Sequence, residues 1–240
     1  ILPLKNIDQP KIAVLSIGEG LTNHFNQTVS RYVSADFYTI TRSTNAARQQ
    51  TIYDALEKYD VILCAVHTVR IPESARLQKL AANKKLIYSF FTIPYFCKSY
   101  KKSIEQAAGV VLAYEGTPLA QQYAAQVILG GIGAKGKLPV TIPDLYYAGT
   151  GIFTQPIRLG YHEPKEVGLD GERLAEITRI AQEGIDAKAY PGCQVLVARN
   201  GLVVYNKSLG YEDYKHTRPI TEESIYDIAS ASKAAGTLLA

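Results

Sequence analysis

The 240-residue chain reads as an α/β protein: a mostly parallel open sheet with helices on both faces (an α/β sandwich), followed by a truncated α+β helix–hairpin–helix segment. Three observations predict this. Over residues 11–115, short β-rich apolar runs alternate with stretches of helical spacing, a grammar that calls for crossover connections and a parallel sheet. One of those runs, "DVILCAV" (Asp60 to Val66), is continuously apolar, as a strand covered on both faces must be. After about residue 160 the alternation stops, and a single helical stretch leads into Asn200-Gly201 flanked by two β-rich runs.

The elements follow in order. "KIAVLSI" (Lys11 to Ile17) is the first strand and ends at Gly18 and Gly20; Leu21 to Tyr32 can be helical, and "ADFYTI" is the second strand. Asn45 is an N-cap candidate for a helix to about Lys58, with Ile52, Ala55, Leu56 and Tyr59 at helical spacing. "DVILCAV" is the third strand, Ser74 to Ala82 a helix, "KKLIYSFF" the fourth strand, Pro94 to Ala108 a helical stretch, and "GVVLAYE" the fifth strand. The next helix is the best marked: Thr117 caps it, Pro118 sits at N1 where a missing N–H is harmless, and Gly130-Gly131 end it. "YHEPKEVGLD" (Tyr161 to Asp170) reads as a linker. Asp170 then caps a helix to about Lys188, with Leu174, Ile177, Ala181 and Ile185 inward, until Pro191-Gly192 break it. "CQVLVAR-NG-LVVYNKSLG" is a hairpin on a type I′ turn, and the chain closes on "DIASASKAAGTLLA", read as the start of a helix. The expected domains are therefore 1–160, a sandwich, and 161–240, an incomplete domain.

Composition narrows the function classes. A net charge of +4, with the 26 basic residues scattered, carries no nucleic-acid footprint. No apolar run reaches the length of a membrane span. Cys64, Cys97 and Cys193 have no metal-like spacing, and His24, His67, His162 and His216 lie far apart, so no metal site and no cofactor is expected. The chain has no Met and begins at Ile1, and it reads as a piece of a longer protein.

Open α/β sheets bind ligands at the carboxyl ends of their strands. Here those ends are "GEG" (Gly18 to Gly20), "HTVR" (His67 to Arg70), "FTIPY" (Phe91 to Tyr95) and "YEGTP" (Tyr114 to Pro118). "GEG" lacks the third glycine of a dinucleotide fingerprint. Glu19 and Glu115 are possible catalytic carboxylates, set against the plainer reading of loop or capping residues. A second candidate is the S-x-x-K of Ser230 and Lys233, whose i, i+3 spacing on a helix puts the amine beside the hydroxyl. Ser99 and Lys102 match the same spacing in a Lys-rich segment and serve as a decoy, so spacing alone decides nothing.

Two resemblances add what the pattern does not contain. "VVLAYEGTPLAQQYAAQVILGGIGAKGKLPVTIP" (Val110 to Pro143) resembles the close of the C-terminal α/β sandwich domain of glycoside hydrolase family 3, and "LPLKNIDQPKIAVLSIG" (Leu2 to Gly18) resembles its opening. The family ends this domain on a "G-K/R-L-P-V-T" strand, and the "YEGTPLAQQ" segment is more like its β-N-acetylglucosaminidase branch. That resemblance implies an upstream TIM barrel carrying the catalytic Asp, which receives the carbohydrate substrate, with little or no chemistry on the sandwich. No credible carboxylate pair for retaining hydrolysis is present in these residues.

The stretch from "GLDGERLAEITRI" through "IYDIASASK" (Gly168 to Lys233) resembles the N-terminus of serine β-lactamases and penicillin-binding proteins, closest to the class C and esterase-like members. The resemblance implies Ser230 as the acyl-accepting nucleophile and Lys233 as its partner in proton transfer. It also implies a downstream remainder of that domain, carrying a Tyr or Ser and a "K-T-G"- or "H-x-G"-like strand. Without those strands the hairpin is expected to pair with another copy or dock on the sandwich.

Three functions follow. The first is a fragment of a bacterial multi-domain hydrolase, glycosidase joined to serine hydrolase, inactive by itself and from an extracytoplasmic parent. The second is a non-catalytic carbohydrate-binding or scaffold module. The third makes the serine-hydrolase half, of β-lactamase, esterase or DD-peptidase type, the working part.

Overall fold

A computed structural model describes residues 2–234 of the chain. The chain divides into two compact units, 1–160 and 161–240.

The first unit is an open α/β sandwich. Its sheet has five parallel strands, β1 (Ile12–Ile17), β2 (Asp36–Ile40), β3 (Val61–Val66), β4 (Lys85–Phe90) and β5 (Gly109–Leu112), in the order β2-β1-β3-β4-β5. β1 and β3 are buried at every position, which is why both read as unbroken apolar runs. Alternate residues serve opposite faces. Leu15, Cys64 and Tyr88 meet Leu56, Leu80 and Tyr100 on one side. Val14, Leu63 and Ile87 meet Phe25, Ala125 and Ile128 on the other.

Local signals set the helices. α1 (His24–Ser30) begins where Asn23 accepts from Asn26 N, three residues later than the sequence suggests. The preceding turn is held by a buried polar network. Asn23 Nδ2 donates to Ser16 Oγ (3.1 Å) and to Gly20 O (2.7 Å), and Asn26 Nδ2 donates to Leu21 O (2.9 Å). Residues 19–22 are therefore a shaped loop rather than helix. α2 (Ala46–Leu56) and α3 (Ala75–Asn83) are capped by Asn45 and Ser74. The stretch after β4 divides into a 3-10 helix, Pro94–Tyr100, and one turn of α4 (Lys101–Ile104), shorter than the helical stretch read from sequence. α5 (Pro118–Leu129) has Thr117 as its cap and ends on Gly130 in the left-handed region, φ 80.

"GKLPVT" is a correction. Residues 133–139 carry no strand, and 142 meets 146 in an isolated bridge. Leu138 instead exchanges backbone hydrogen bonds with a loop, donating to Thr150 O and accepting from Gly149 N, both at 2.8 Å. Pro139 has no N–H to offer a ladder, so β5 remains the edge strand on this side.

The second unit opens on α6 (Gly171–Asp186), with Asp170 accepting from Glu172 N and Arg173 N. Of its inward residues, Ala181 is buried and Leu174, Ile177 and Ile185 are half-buried. The hairpin β7 (Gly192–Arg199) and β8 (Leu202–Gly210) turns on Asn200 and Gly201, with φ 55 and φ 78, the double positive that a type I′ turn requires. Thr178 of α6 shares a 2.8 Å hydrogen bond with Tyr205 of β8. The outer edge of β8 is taken by the short strand β6 (Gly160–Tyr161), giving a sheet of order β6-β8-β7. β7 remains the free edge of this sheet among the described residues. Of the segment read as the start of a closing helix, a 3-10 turn (Ala229–Ala231) and helical residues 232–234 are described; residues 235–240 lie outside the described residues.

Candidate functional site

In a β2-β1-β3-β4-β5 sheet the connections leave β1 and β3 in opposite directions, which opens a crevice between their carboxyl ends. Two of the predicted strand ends, "GEG" and "HTVR", meet there. Gly18 carries φ 94, and a Cβ on it would lie 2.3 Å from Thr68 Cγ2, so the two loops approach as closely as a glycine permits. This brings Glu19 Oε2 to 2.6 Å from His67 Nδ1, a close polar contact that is not an aligned hydrogen bond. Gln121, from the first turns of α5, donates to the same Oε2 (3.3 Å) and to Gly116 O (3.0 Å), while its own oxygen accepts from Phe25 N.

The two partners differ in environment. The Glu19 side chain is 40% exposed, that of His67 only 4%. The His67 ring stacks on Phe91 with centroids 4.6 Å apart, and its Nε2 is buried with no hydrogen-bond partner among the described residues. Burial pushes the imidazole down to about 4. Burial also raises the Glu19 carboxyl, with the nearby His24 and the Gln121 hydrogen bond pulling the other way. His67 is therefore neutral at physiological pH, and an acid–base role for its enclosed Nε2 is blocked on geometry.

This has a measurable consequence. Folded His67 holds its proton less tightly than an unfolded imidazole, so as pH falls from 6.5 towards 4 the unfolded chain takes up a proton that the folded chain refuses. Stability is then full above this window and falls within it, by about 2–3 kcal/mol. Glu19, raised by its surroundings, works in the opposite sense at the acid end. In urea titrations across this window His67→Leu should flatten the slope; an unchanged slope would assign the acid sensitivity elsewhere.

The other candidates are less embedded. Glu115 is exposed, and its carboxylate accepts from the Thr117 hydroxyl (2.9 Å), which fits a loop residue at a helix start. Ser99 and Lys102 are not joined by a hydrogen bond among the described residues, because a 3-10 helix ends between them. Ser230 and Lys233 are brought together: Lys233 Nζ donates to Ser230 Oγ at 3.5 Å. Asp227 Oδ1 accepts from Ala229 N (2.8 Å), and Ser232 Oγ donates to Ala229 O (2.6 Å), so the turn before the helix is locally fixed. Ser230 is exposed, as is every residue from Ile225 to Ala234, so among the described residues neither water exclusion nor an oxyanion pocket surrounds the hydroxyl. Among the described residues no group of His, Cys, Asp and Glu could hold a metal ion, and no helix is long and apolar enough to cross a membrane.

Sequence reasoning missed the Glu19–His67–Gln121 contact. In the sequence His67 is one of four histidines that lie far apart, and Gln121 stands in no motif. The available signal was positional, since both loops had been placed at the same sheet edge.

Comparison with known proteins bears on both units. Residues 177–240 match the beta-lactamase family model. No curated protein matches the chain. Among solved structures, one titled for a GCN5-related glucosamine N-acetyltransferase region in a fungal multi-domain GH3 beta-N-acetylglucosaminidase is similar over 99% of this chain and 34% of its own, at 12% identity and TM-score 0.48. A glycoside hydrolase family 3 beta-N-acetylglucosaminidase from Paenibacillus sp. str. FPU-7 is similar over 54% of this chain and 27% of its own (14% identity, TM-score 0.43). A GH3 exo-beta-xylosidase (XlnD) is similar over 61% and 23% (15% identity, TM-score 0.42). The chain thus spans about a third or less of the length of these glycosidases.

Proposed function

We propose that this chain is part of a multi-domain hydrolase in which residues 1–160 are the accessory sandwich of a family 3 β-N-acetylglucosaminidase and residues 161–240 begin a β-lactamase-like serine hydrolase. In that reading Ser230 is the acyl-accepting nucleophile and Lys233 its partner in proton transfer, while an upstream barrel receives the carbohydrate. The observation that carries it is the beta-lactamase match over residues 177–240, which contains the S-x-x-K pair standing 3.5 Å apart. The sequence resemblance of Val110 to Pro143 supports the first half, and the parallel sheet supplies the fold that it needs.

The 240 residues by themselves are proposed to be inactive. Ser230 and its described neighbours are exposed, so no pocket among the described residues shields the hydroxyl from water. The 240 residues contain no K-T-G or H-x-G tripeptide to line an acyl pocket. Treating the purified chain with a fluorescent penicillin and with a fluorophosphonate should therefore leave Ser230 unlabelled, and a nitrophenyl N-acetylglucosaminide should not be hydrolysed. Covalent labelling that Ser230→Ala abolishes would overturn the inactive reading and make the serine unit the working part. Hydrolysis of the glycoside would overturn the accessory role of the sandwich.

A further inference from the structure

Leu4 and Arg158 stand 154 positions apart, one in the segment that leads into the sandwich and the other in the segment that leads out of it. Arg158 joins the two. Its Nη1 donates to Leu4 O (2.8 Å) and to Leu129 O (2.7 Å), and its Nη2 donates to Lys5 O. All three acceptors are neutral backbone carbonyls. Leu129 is the last residue of α5, so its carbonyl lies at the negative end of the helix dipole, where a cation is favoured. The planar fork of a guanidinium can bond two separate segments at once, whereas an ammonium is a single point.

The backbones on either side converge on the same helix end. Leu4 N donates to Ile128 O (2.8 Å), while Ile157 N and Arg158 N both donate to Gly130 O (2.8 and 2.9 Å). A Cβ on Gly130 would lie 2.5 Å from Ile157 Cγ1 and 3.2 Å from Pro3 Cβ, so both segments press on this glycine. They are anchored unequally. Leu4 and Ile7 are buried, at 3% and 5% exposure, whereas Ile157 and Leu159 remain 47% and 48% exposed. The outgoing segment thus gains little from apolar burial here and depends on hydrogen bonds, among them the Tyr32 hydroxyl donating to Leu159 O (2.9 Å). The incoming segment in turn presents two carbonyls, Leu4 O and Lys5 O, that accept from the outgoing one.

We infer that Arg158 is a latch between the two ends of the sandwich, through which the incoming segment (residues 2–7) and the outgoing segment (residues 157–159) open and close as one cooperative element. The consequence is conformational linkage: whatever loosens one end loosens the other, across 154 positions of sequence. This goes beyond the hydrolase reading and stands independently of it, because it uses neither Ser230 nor a barrel.

Native-state hydrogen exchange of the whole chain is the test, with Arg158→Met as the first variant. Methionine keeps an unbranched apolar stem and removes every donor. The amides of Leu4 and Ile157 should both exchange at least about tenfold faster. Those of Thr154, which donates to Ala134 O at 3.0 Å, and of Leu15 and Leu63 in the sheet should be unchanged. Arg158→Lys keeps the charge at the helix end without the fork and should restore only a minor part of the lost protection. Faster exchange of Ile157 alone would reduce Arg158 to a local contact, and full rescue by lysine would assign the effect to the helix dipole; either result overturns the latch. Should Arg158→Met unfold the sandwich, the unaltered chain decides. In a series of low denaturant concentrations its Leu4 and Ile157 amides should share one opening free energy and one denaturant slope, and two different slopes would overturn the proposal.

Discussion

Replacing Tyr88 with alanine should remove about 3–5 kcal/mol of stability from the sandwich, lowering its melting midpoint by about 10 °C. Tyr88 lies on β4, is fully buried, stacks on Phe90 at 5.3 Å and meets Tyr100 edge-on at 5.8 Å. Its hydroxyl shares a 2.6 Å hydrogen bond with Ser103 Oγ, tying the sheet to α4. Two contributions are mixed in the alanine variant, and Tyr88→Phe separates them. Phenylalanine keeps the ring contacts and leaves Ser103 Oγ its bond to Tyr100 O (3.2 Å), so the loss should be only about 1 kcal/mol. Thermal melts of the two variants decide between packing and polar anchoring. If phenylalanine were as damaging as alanine, the hydrogen bond to Ser103 rather than the aromatic cluster would hold this face.

The sheet was legible because its strands are buried on both faces. "IAVLSI" and "VILCAV" have no polar side on which register or burial could be ambiguous, and their flanking helices carry side-chain caps at Asn45, Ser74 and Thr117 that act within three residues. Where tertiary contacts override local preference, the sequence says less. Leu21 and Thr22 lie outside α1 because Asn26 takes the Leu21 carbonyl, a bond made by the buried network rather than by propensity. "KLPVT" has the composition of a strand but pairs with a loop, and nothing local to Leu138 announces that Thr150 will be its partner.

The site was legible in outline and not in its contacts. The strand order, not any motif, places Glu19 against His67, forty-eight positions away in sequence, and Gln121 of α5 reaches Glu19 from 102 positions away. Spacing rules operate within an element and cannot register three residues brought together by a crossover. For Ser230 and Lys233 the situation is reversed. Their proximity follows from i, i+3 geometry alone, so meeting at 3.5 Å adds little to what spacing had already required. The weight there falls on the family match across residues 177–240.

Gly18 is the residue on which the crevice depends, and Gly18→Ala should destabilise the sandwich by about 2–4 kcal/mol. Two penalties coincide. At φ 94 an L side chain is strained whatever space it has, and here the new Cβ would also stand 2.3 Å from Thr68 Cγ2 and 2.7 Å from Thr68 Cβ. Rotating the threonine relieves the first contact but not the second, so the β1 and β3 loops must separate. Their separation would draw Glu19 away from His67, and the paired ring and carboxylate resonances should change even where the chain remains folded. Thr68→Gly removes both clashing atoms, although it also removes the hydroxyl that accepts from Arg70 N at 3.2 Å. A double-mutant cycle cancels that separate loss. In the Thr68→Gly background, adding Gly18→Ala should cost only the backbone strain, about 1–2 kcal/mol, and the remainder of the single-variant penalty is the steric coupling between the loops. Additive penalties would mean that the loops do not touch as closely as Gly18 requires, and that Glu19 meets His67 for some other reason.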